Sequence, residues 1–548
     1  MGATSARASR ARIAAALLTL AAAAAVMACG NSGSAPASTP GQNTPTAEAT
    51  ATATAQPATR CDIDLSADSP DATIFGAEAG DFLADRFALA TGDFNGDGAA
   101  DILIGAPLAD GPDNSRTNVG EAYVIFGGPN LQGAIDLAAG TAGFTVVGRT
   151  PGDNLGFAVA AGDINGDDID DLLIGARFAG PGGQAQSGEG EAYAIFGRHD
   201  LSGSVDIASD QQDMTVTGRR RGDYLGIAVA SGDVNGDGVS DLILGASGAA
   251  GRDNARGQGG EVYVILGSKS LPSRVELASD EPYLTVYGPQ AGALVPNYLA
   301  SGDVDGDGKA EVIAGAPSAG SPSPTELPTG EAYVIYAPSE AGGQVDLAGS
   351  SGFTRLHGRA PLDGFGFYVA AADMNGDHKD DVIVGARDAD GPNDSRNNAG
   401  EVYIVMGKER LPQVIDVGQT APDVTILGSE ANASLGFTVA AGDVNGDGKE
   451  DLLAGAPVGD SCGGIAQDAG QVHVVFGKSH WPKTIDLAQD DSSLSLFGAE
   501  AGDELGFSLA TGDVNNDGRD DIVAGALQAD GPDNARPDSG EAYVILSR

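Results

Sequence analysis

The chain is poor in most of the residues that build enzymes. Among 548 residues there are one tryptophan, three cysteines, five methionines and five histidines, and aromatics make up 5%. The histidines, His199, His357, His378, His473 and His480, show no metal or triad spacing, and no HExxH, GxSxG or P-loop string occurs. Three cysteines cannot build a disulfide framework. Basic residues are also short: 30 Lys and Arg stand against 77 Asp and Glu, for a formal charge of −47. Nucleic acid and anionic headgroups, both negative, are therefore excluded as expected partners. One extended apolar run, Ile13 to Ala28, is too short and too rich in small residues to read as a spanning helix.

What is abundant is glycine, 83 residues, together with a repeat. An acidic loop opens at Asp93, Asp163, Asp233, Asp303, Asp373, Asp443 and Asp513, every 70 residues. A second string keeps the same period, from GEAYVIFG at Gly120 to GEAYVILS at Gly540. Residues 61–548 are thus one sevenfold array. Within the second repeat, FTVVG (Phe144 to Gly148), LGFAVAAGD (Leu155 to Asp163), DLLIGA (Asp171 to Ala176) and GEAYAIFG are short, β-rich and bounded by Gly, Asp and Asn. Four strands per repeat, seven times over, predict an all-β, seven-bladed β-propeller of four-stranded blades. The last repeat stops after its third strand, while CDIDL…TIFG (Cys61 to Gly76) matches AIDL…TVVG (Ala134 to Gly148). The N-terminal strand is therefore expected to close the ring by completing blade seven, which would otherwise expose an edge.

LGF, GDINGDD and DLLIGA resemble the FG-GAP repeat of integrin α-chain propellers and related secreted bacterial proteins, over essentially all of residues 61–548. Blade four departs with LVPNYLA at Leu294, and blade one with LADRFALA at Leu83. Ahead of the array, Arg7, Arg10 and Arg12 precede the apolar run, the pattern of a secretory signal over residues 1–29. Val26-Met27-Ala28-Cys29-Gly30 resembles the lipobox of bacterial lipoproteins, which implies lipidation at Cys29 and attachment to the membrane through that anchor alone. Val26 stands where that box usually has leucine, and ordinary cleavage after Ala28 is the alternative. Residues 30–60, rich in Ala, Thr, Ser and Pro, read as a disordered tether reaching at most about 90 Å. With Cys29 lipidated, Cys61 and Cys462 remain, and whether they pair is left open.

Each acidic loop offers hard oxygen donors in the pattern calcium requires. Position one is the opening aspartate. Position three is Asn95, Asn165, Asn235, Asp305, Asn375, Asn445 or Asn515, and position five is Asp97, Asp167, Asp237, Asp307, Asp377, Asp447 or Asp517. Position nine is Asp101, Asp171, Asp241, Glu311, Asp381, Asp451 or Asp521. Position seven varies freely, as Ala99, Ile169, Val239, Lys309, Lys379, Lys449 and Arg519, which is expected where only the carbonyl ligates. Glycines at positions four and six allow a left-handed wrap. Asp168 and Asn516, where glycine is missing, belong to residue types that tolerate it, and His378 is a weaker substitute. Hairpin turns alone would not need carboxylates at positions one and nine. Calcium is expected, up to one per blade.

Arg221-Gly222-Asp223 spells an adhesive tripeptide, although Gly-Asp recurs there in other blades. Arg116, Arg256, Arg396 and Arg536 occupy one loop position in blades one, three, five and seven. They either pair locally with nearby acids such as Glu121, Glu261, Glu401 and Glu541 or form a ligand-facing ring opposite the acidic loops. The expected function is a calcium-binding propeller on the cell envelope or cell surface that binds an extracellular protein or glycan, as in adhesion. No enzyme is expected, since the array leaves no room for a catalytic domain. The alternatives are a polysaccharide-acting enzyme with its site on a propeller face and a structural scaffold.

Overall fold

A computed structural model describes residues 61–548 apart from 182, 184–186, 321–326, 339–340 and 490–491. The signal segment, Cys29 and the tether lie outside the described residues, as does most of the SPSPTELP loop that begins at Ser321. Among the described residues no helix is long and apolar enough to cross a membrane.

The strands form where the sequence alternates short apolar runs with turn residues, and they assemble into seven sheets. In blade two the chain runs outward through Leu155–Gly162, Asp171–Ala176, Glu191–Ile195 and Met214–Thr217, each antiparallel to the one before. The second strand is wholly buried in every blade, as in Asp101–Ala106 and Asp451–Ala456, because sheets pack against both of its faces. The innermost strands touch one another in sequence around the axis, and Leu89–Gly92 of blade one meets Leu505–Gly512 of blade seven. The ring is closed.

Glycine sits where blades approach most closely. A Cβ on Gly175 would lie 2.0 Å from the carbonyl oxygen of Gly226 in the next blade, so no side chain fits there.

Two findings refine the expected blade. Each sheet has five strands rather than four. Before making its own fourth strand, the chain crosses to the preceding blade and lays a short parallel strap along its outer edge. Gly203–Asp206, for example, pairs with Phe144–Val147 of blade one. A strap of two to four residues is too short for periodicity to reveal, but it covers the edge that four strands would expose. The second finding extends the expected closure. Ala72–Phe75 pairs antiparallel with Glu541–Ile545 and completes blade seven, and Ile63–Asp64 straps blade six beside Leu496 and Phe497. A disulfide joins Cys61 to Cys462, with 5.8 Å between their Cα atoms, and fastens the start of this segment to blade six.

At the axis, blade one carries two residues more between Leu83 and Asp93 than blade two has between Leu155 and Asp163. The extra length places Arg86 against the rings of Phe87 and Phe367, with its guanidinium 4.4 and 5.4 Å from the centroids. Tyr298 stacks on Tyr368 at 3.7 Å, so aromatic rings and arginines fill the middle of the ring.

Candidate metal centres

Every acidic loop links an innermost strand to a wholly buried second strand, so seven equivalent loops share one face. The opening carboxylate organises each loop. Asp93 accepts the amides of Asp97 (3.0 Å) and Gly98 (2.8 Å), and Asp443 those of Asp447 (2.9 Å) and Gly448 (2.7 Å). The position-five carboxylate then accepts the amide at position seven, as Asp97 does from Ala99 and Asp517 from Arg519. This wrap needs left-handed backbone at positions four and six. Asp168, His378 and Asn516 adopt it with φ of 67°, 66° and 61° where glycine is missing.

Position nine begins the second strand and is buried in all seven blades. Asp101 accepts the amide of Gly127 at the end of the third strand and that of Phe94 within the loop. Desolvation pushes Asp101, Asp171, Asp241 and Asp381 up to about 7; the loop carboxylates add to the shift and the amide hydrogen bonds oppose it. Glu311, with a longer side chain, rises to about 8 for the same first cause, with the charge of Asp305 the next largest contribution. In blade four Asp303, Asp305 and Glu311 each bring an oxygen within 4.8 Å of the others. Buried carboxylates gathered with further oxygen donors form a donor set that suits a hard divalent cation and offers nothing to a soft one. In blade four the residues at positions one, three and nine therefore fit calcium, and among the described residues the other six loops carry the same residue types without so close a gathering of carboxylates.

The loops are also joined to one another. The carbonyl oxygen of each opening aspartate accepts the position-eight amide of the next loop, at 2.8–3.2 Å, and the bond from Ala100 to Asp513 completes the circle. Sequence reasoning passed over position eight. Asp170, Asp380 and Asp520 use their carboxylates to accept the amides of Asp93, Asp303 and Asp443 in the preceding blade. The signal that would have found them is an acid at position eight of four loops.

On the opposite face the arginines do pair with acids, but the acids differ from the glutamates expected. Arg116, Arg256, Arg396 and Arg536 bind neither the expected glutamates nor a ligand-facing ring. They reach Asp206, Asp346, Asp486 and Asp136, the last residues of the straps, at 2.6–2.9 Å. Each also donates to a backbone carbonyl at the end of a fourth strand, as Arg256 does to Gly288. The glutamates instead accept the tyrosine hydroxyl two residues on, as in Glu191 and Tyr193. The tripeptide reading fails as well, because Asp223 is 8% exposed.

A profile of the FG-GAP repeat matches residues 87–125, 155–194, 225–265, 299–344, 365–405, 435–475 and 505–545. The chain is 25% identical over 412 residues to human phosphatidylinositol-glycan-specific phospholipase D, covering 72% of this chain and 46% of that protein. To the bovine protein of the same name it is 30% identical over 221 residues, 40% of this chain and 25% of that one. Integrin alpha pat-2 of Caenorhabditis briggsae is 30% identical over 253 residues, 43% of this chain and 18% of the integrin. The chain spans less than half the length of each of these relatives. With seven matched segments falling one to a blade, the chain belongs to the FG-GAP repeat family.

Proposed function

We propose that this propeller binds calcium through its seven acidic loops and engages an extracellular protein or glycan partner with the opposite face. In each blade, positions one, three, five and nine would hold the ion together with the carbonyl at position seven. Bound calcium would supply positive charge to neutralise the crowded carboxylates, while the chain's own amides keep the loops in register. Through the loop-to-loop hydrogen bonds each blade steadies the next.

The observation that carries the partner reading is a constant backbone bearing varied side chains. Just before each innermost strand one residue is left-handed in all seven blades: Phe82, Asn154, Tyr224, Leu294, Gly364, Ser434 and Glu504, with φ between 55° and 69°. A fixed frame with a different side chain in each blade is what an asymmetric partner requires of a symmetric scaffold. Lipidation at Cys29 and the tether of residues 30–60 would display this face outside the cytoplasmic membrane, so Cys29→Ser should release the protein from the membrane fraction. The relatives named integrin and phospholipase D support an extracytoplasmic setting. Screening the purified chain on matrix-protein and glycan arrays, with and without calcium, tests the proposal. Calcium-dependent capture is expected. A hydrolase activity that maps to a carboxylate pair on either face would contradict the binding reading.

A further inference from the structure

On the face opposite the acidic loops, where blades one, two and three meet, a cavity of about 550 Å³ opens between successive loops. Its size falls in the range of small-ligand sites. Phe178 and Tyr224 form one wall, their rings edge to face with 5.6 Å between centroids. Asn118, Asn154, Ser187 and Arg221 supply the polar lining.

Two of these groups, Ser187 and Arg221, have no side-chain partner among the described residues. Ser187 is 7% exposed, and its buried hydroxyl has no hydrogen bond. Such a group costs about 1–3 kcal/mol unless something entering the cavity satisfies it. Asn154 spends its amide nitrogen on the carbonyls of Pro107 and Asn118, which leaves its own carbonyl oxygen to accept. Arg219 and Arg220 are engaged by Glu261 and Asn254. Arg221 makes no hydrogen bond or ion pair among the described residues, in a chain whose acids outnumber its Lys and Arg 77 to 30. Behind the wall, the Arg177 guanidinium lies 4.6 Å from the Phe178 ring and 3.5 Å from that of Phe157, and so fixes Phe178 in place.

The cavity lies beside the blade-two loop, whose sequence has Gln186 at the position that Arg116, Arg256, Arg396 and Arg536 occupy in other blades. Blades one, three, five and seven close this loop with a short turn, such as Pro112–Asn114 or Arg252–Asn254, followed by the strap-binding arginine.

Resting on the reading that this face binds a partner, we infer that the cavity is a saccharide subsite. Two aromatic rings offer an apolar strip to the C–H face of a pyranose. Around them stand a donor (Arg221), an acceptor (the Asn154 carbonyl) and a group that does both (Ser187), which suits hydroxyls because they too donate and accept. A lipid chain would leave Ser187 and Arg221 unsatisfied. A peptide adding to a sheet would need a strand edge, and none of the residues lining the cavity belongs to a strand.

The test uses the purified full chain in calcium on a printed glycan array, followed by titration calorimetry with methyl glycosides of the hits. Arg221→Ala, at an exposed residue, should weaken saccharide binding tenfold or more without moving the melting temperature, and Ser187→Val should weaken it as much while leaving the melting temperature unchanged or higher, since it removes the unsatisfied hydroxyl. If saccharides bind both variants as they bind the parent, the subsite is wrong and partner binding by this face stands. If only matrix proteins are captured, the saccharide assignment falls while the broader function survives. Capture of neither class overturns both.

Discussion

Replacing Arg256 by methionine isolates the role of the strap-binding arginines. The guanidinium donates to both oxygens of Asp346, at 2.6 and 2.9 Å, and to the carbonyl oxygen of Gly288 at 2.7 Å. Methionine keeps the aliphatic packing and removes all three bonds. Charge-assisted hydrogen bonds contribute about 1.5–3 kcal/mol each when well shielded. Here both side chains are 21% exposed, so solvent screening reduces the sum to about 2–3 kcal/mol. Because Asp346 closes the strap Gly343–Asp346 on blade three, the loss should appear as local opening before global unfolding. The Leu347 amide, which donates to Tyr287, should exchange roughly 30-fold faster or more by hydrogen–deuterium exchange mass spectrometry, since each 1.36 kcal/mol is tenfold. Arg116→Met should have a smaller effect, of about 1 kcal/mol, because its partner Asp206 is 37% exposed. Unchanged exchange at the strap, or an equal rise in all blades, would refute the assignment.

Three further perturbations follow from the geometry. The Cys61–Cys462 disulfide closes a separation of 401 residues, for which chain entropy gives an upper limit of about 6 kcal/mol; Cys462→Ser should increase proteolysis of residues 61–76, and an unchanged digestion pattern would count against the closing role. In blade six Gln471 and His473 replace the glutamate and tyrosine of the other blades, and burial pushes His473 down to about 4. The native state thus refuses a proton that the unfolded chain takes up near 6.5, so stability is full above that pH and falls by about 3 kcal/mol toward pH 4; His473→Tyr should remove this part of the pH dependence in urea titrations run in calcium. Gly175→Ala, which drives a Cβ onto the Gly226 carbonyl, should cost about 3 kcal/mol, and a denaturation midpoint equal to that of the parent would show that blades two and three can separate freely.

The periodicity of the loops was enough to reveal the blade number, the closing strand and the left-handed positions at Asp168, His378 and Asn516, because each is a local property of a repeated segment. The straps were not legible. Gly203–Asp206 has one large apolar residue and pairs with a strand about 60 residues earlier, so nothing local marks it. The arginine partners were missed for the same reason: Arg116 and Asp206 meet only after the strap has crossed to the preceding blade, whereas Glu121 merely stood nearer in sequence. The tripeptide at Arg221 was readable as letters, but the burial of Asp223 depends on how the turn folds. Within the candidate site, the acidic loop positions recur visibly, and the position-eight carboxylates became apparent only through the neighbouring loop they contact.

The central claim is that calcium in the seven loops holds this ring together. Thermal unfolding of the purified chain in chelator and in millimolar calcium, with bound metal counted on the same sample, tests it most directly. Extracellular sites with dissociation constants of about 10⁻⁴–10⁻³ M would each add about 1–3 kcal/mol at calcium tenfold to a hundredfold above that value. The account predicts close to seven ions per chain and a clearly higher melting temperature in calcium. Identical melting curves and no bound metal would contradict it.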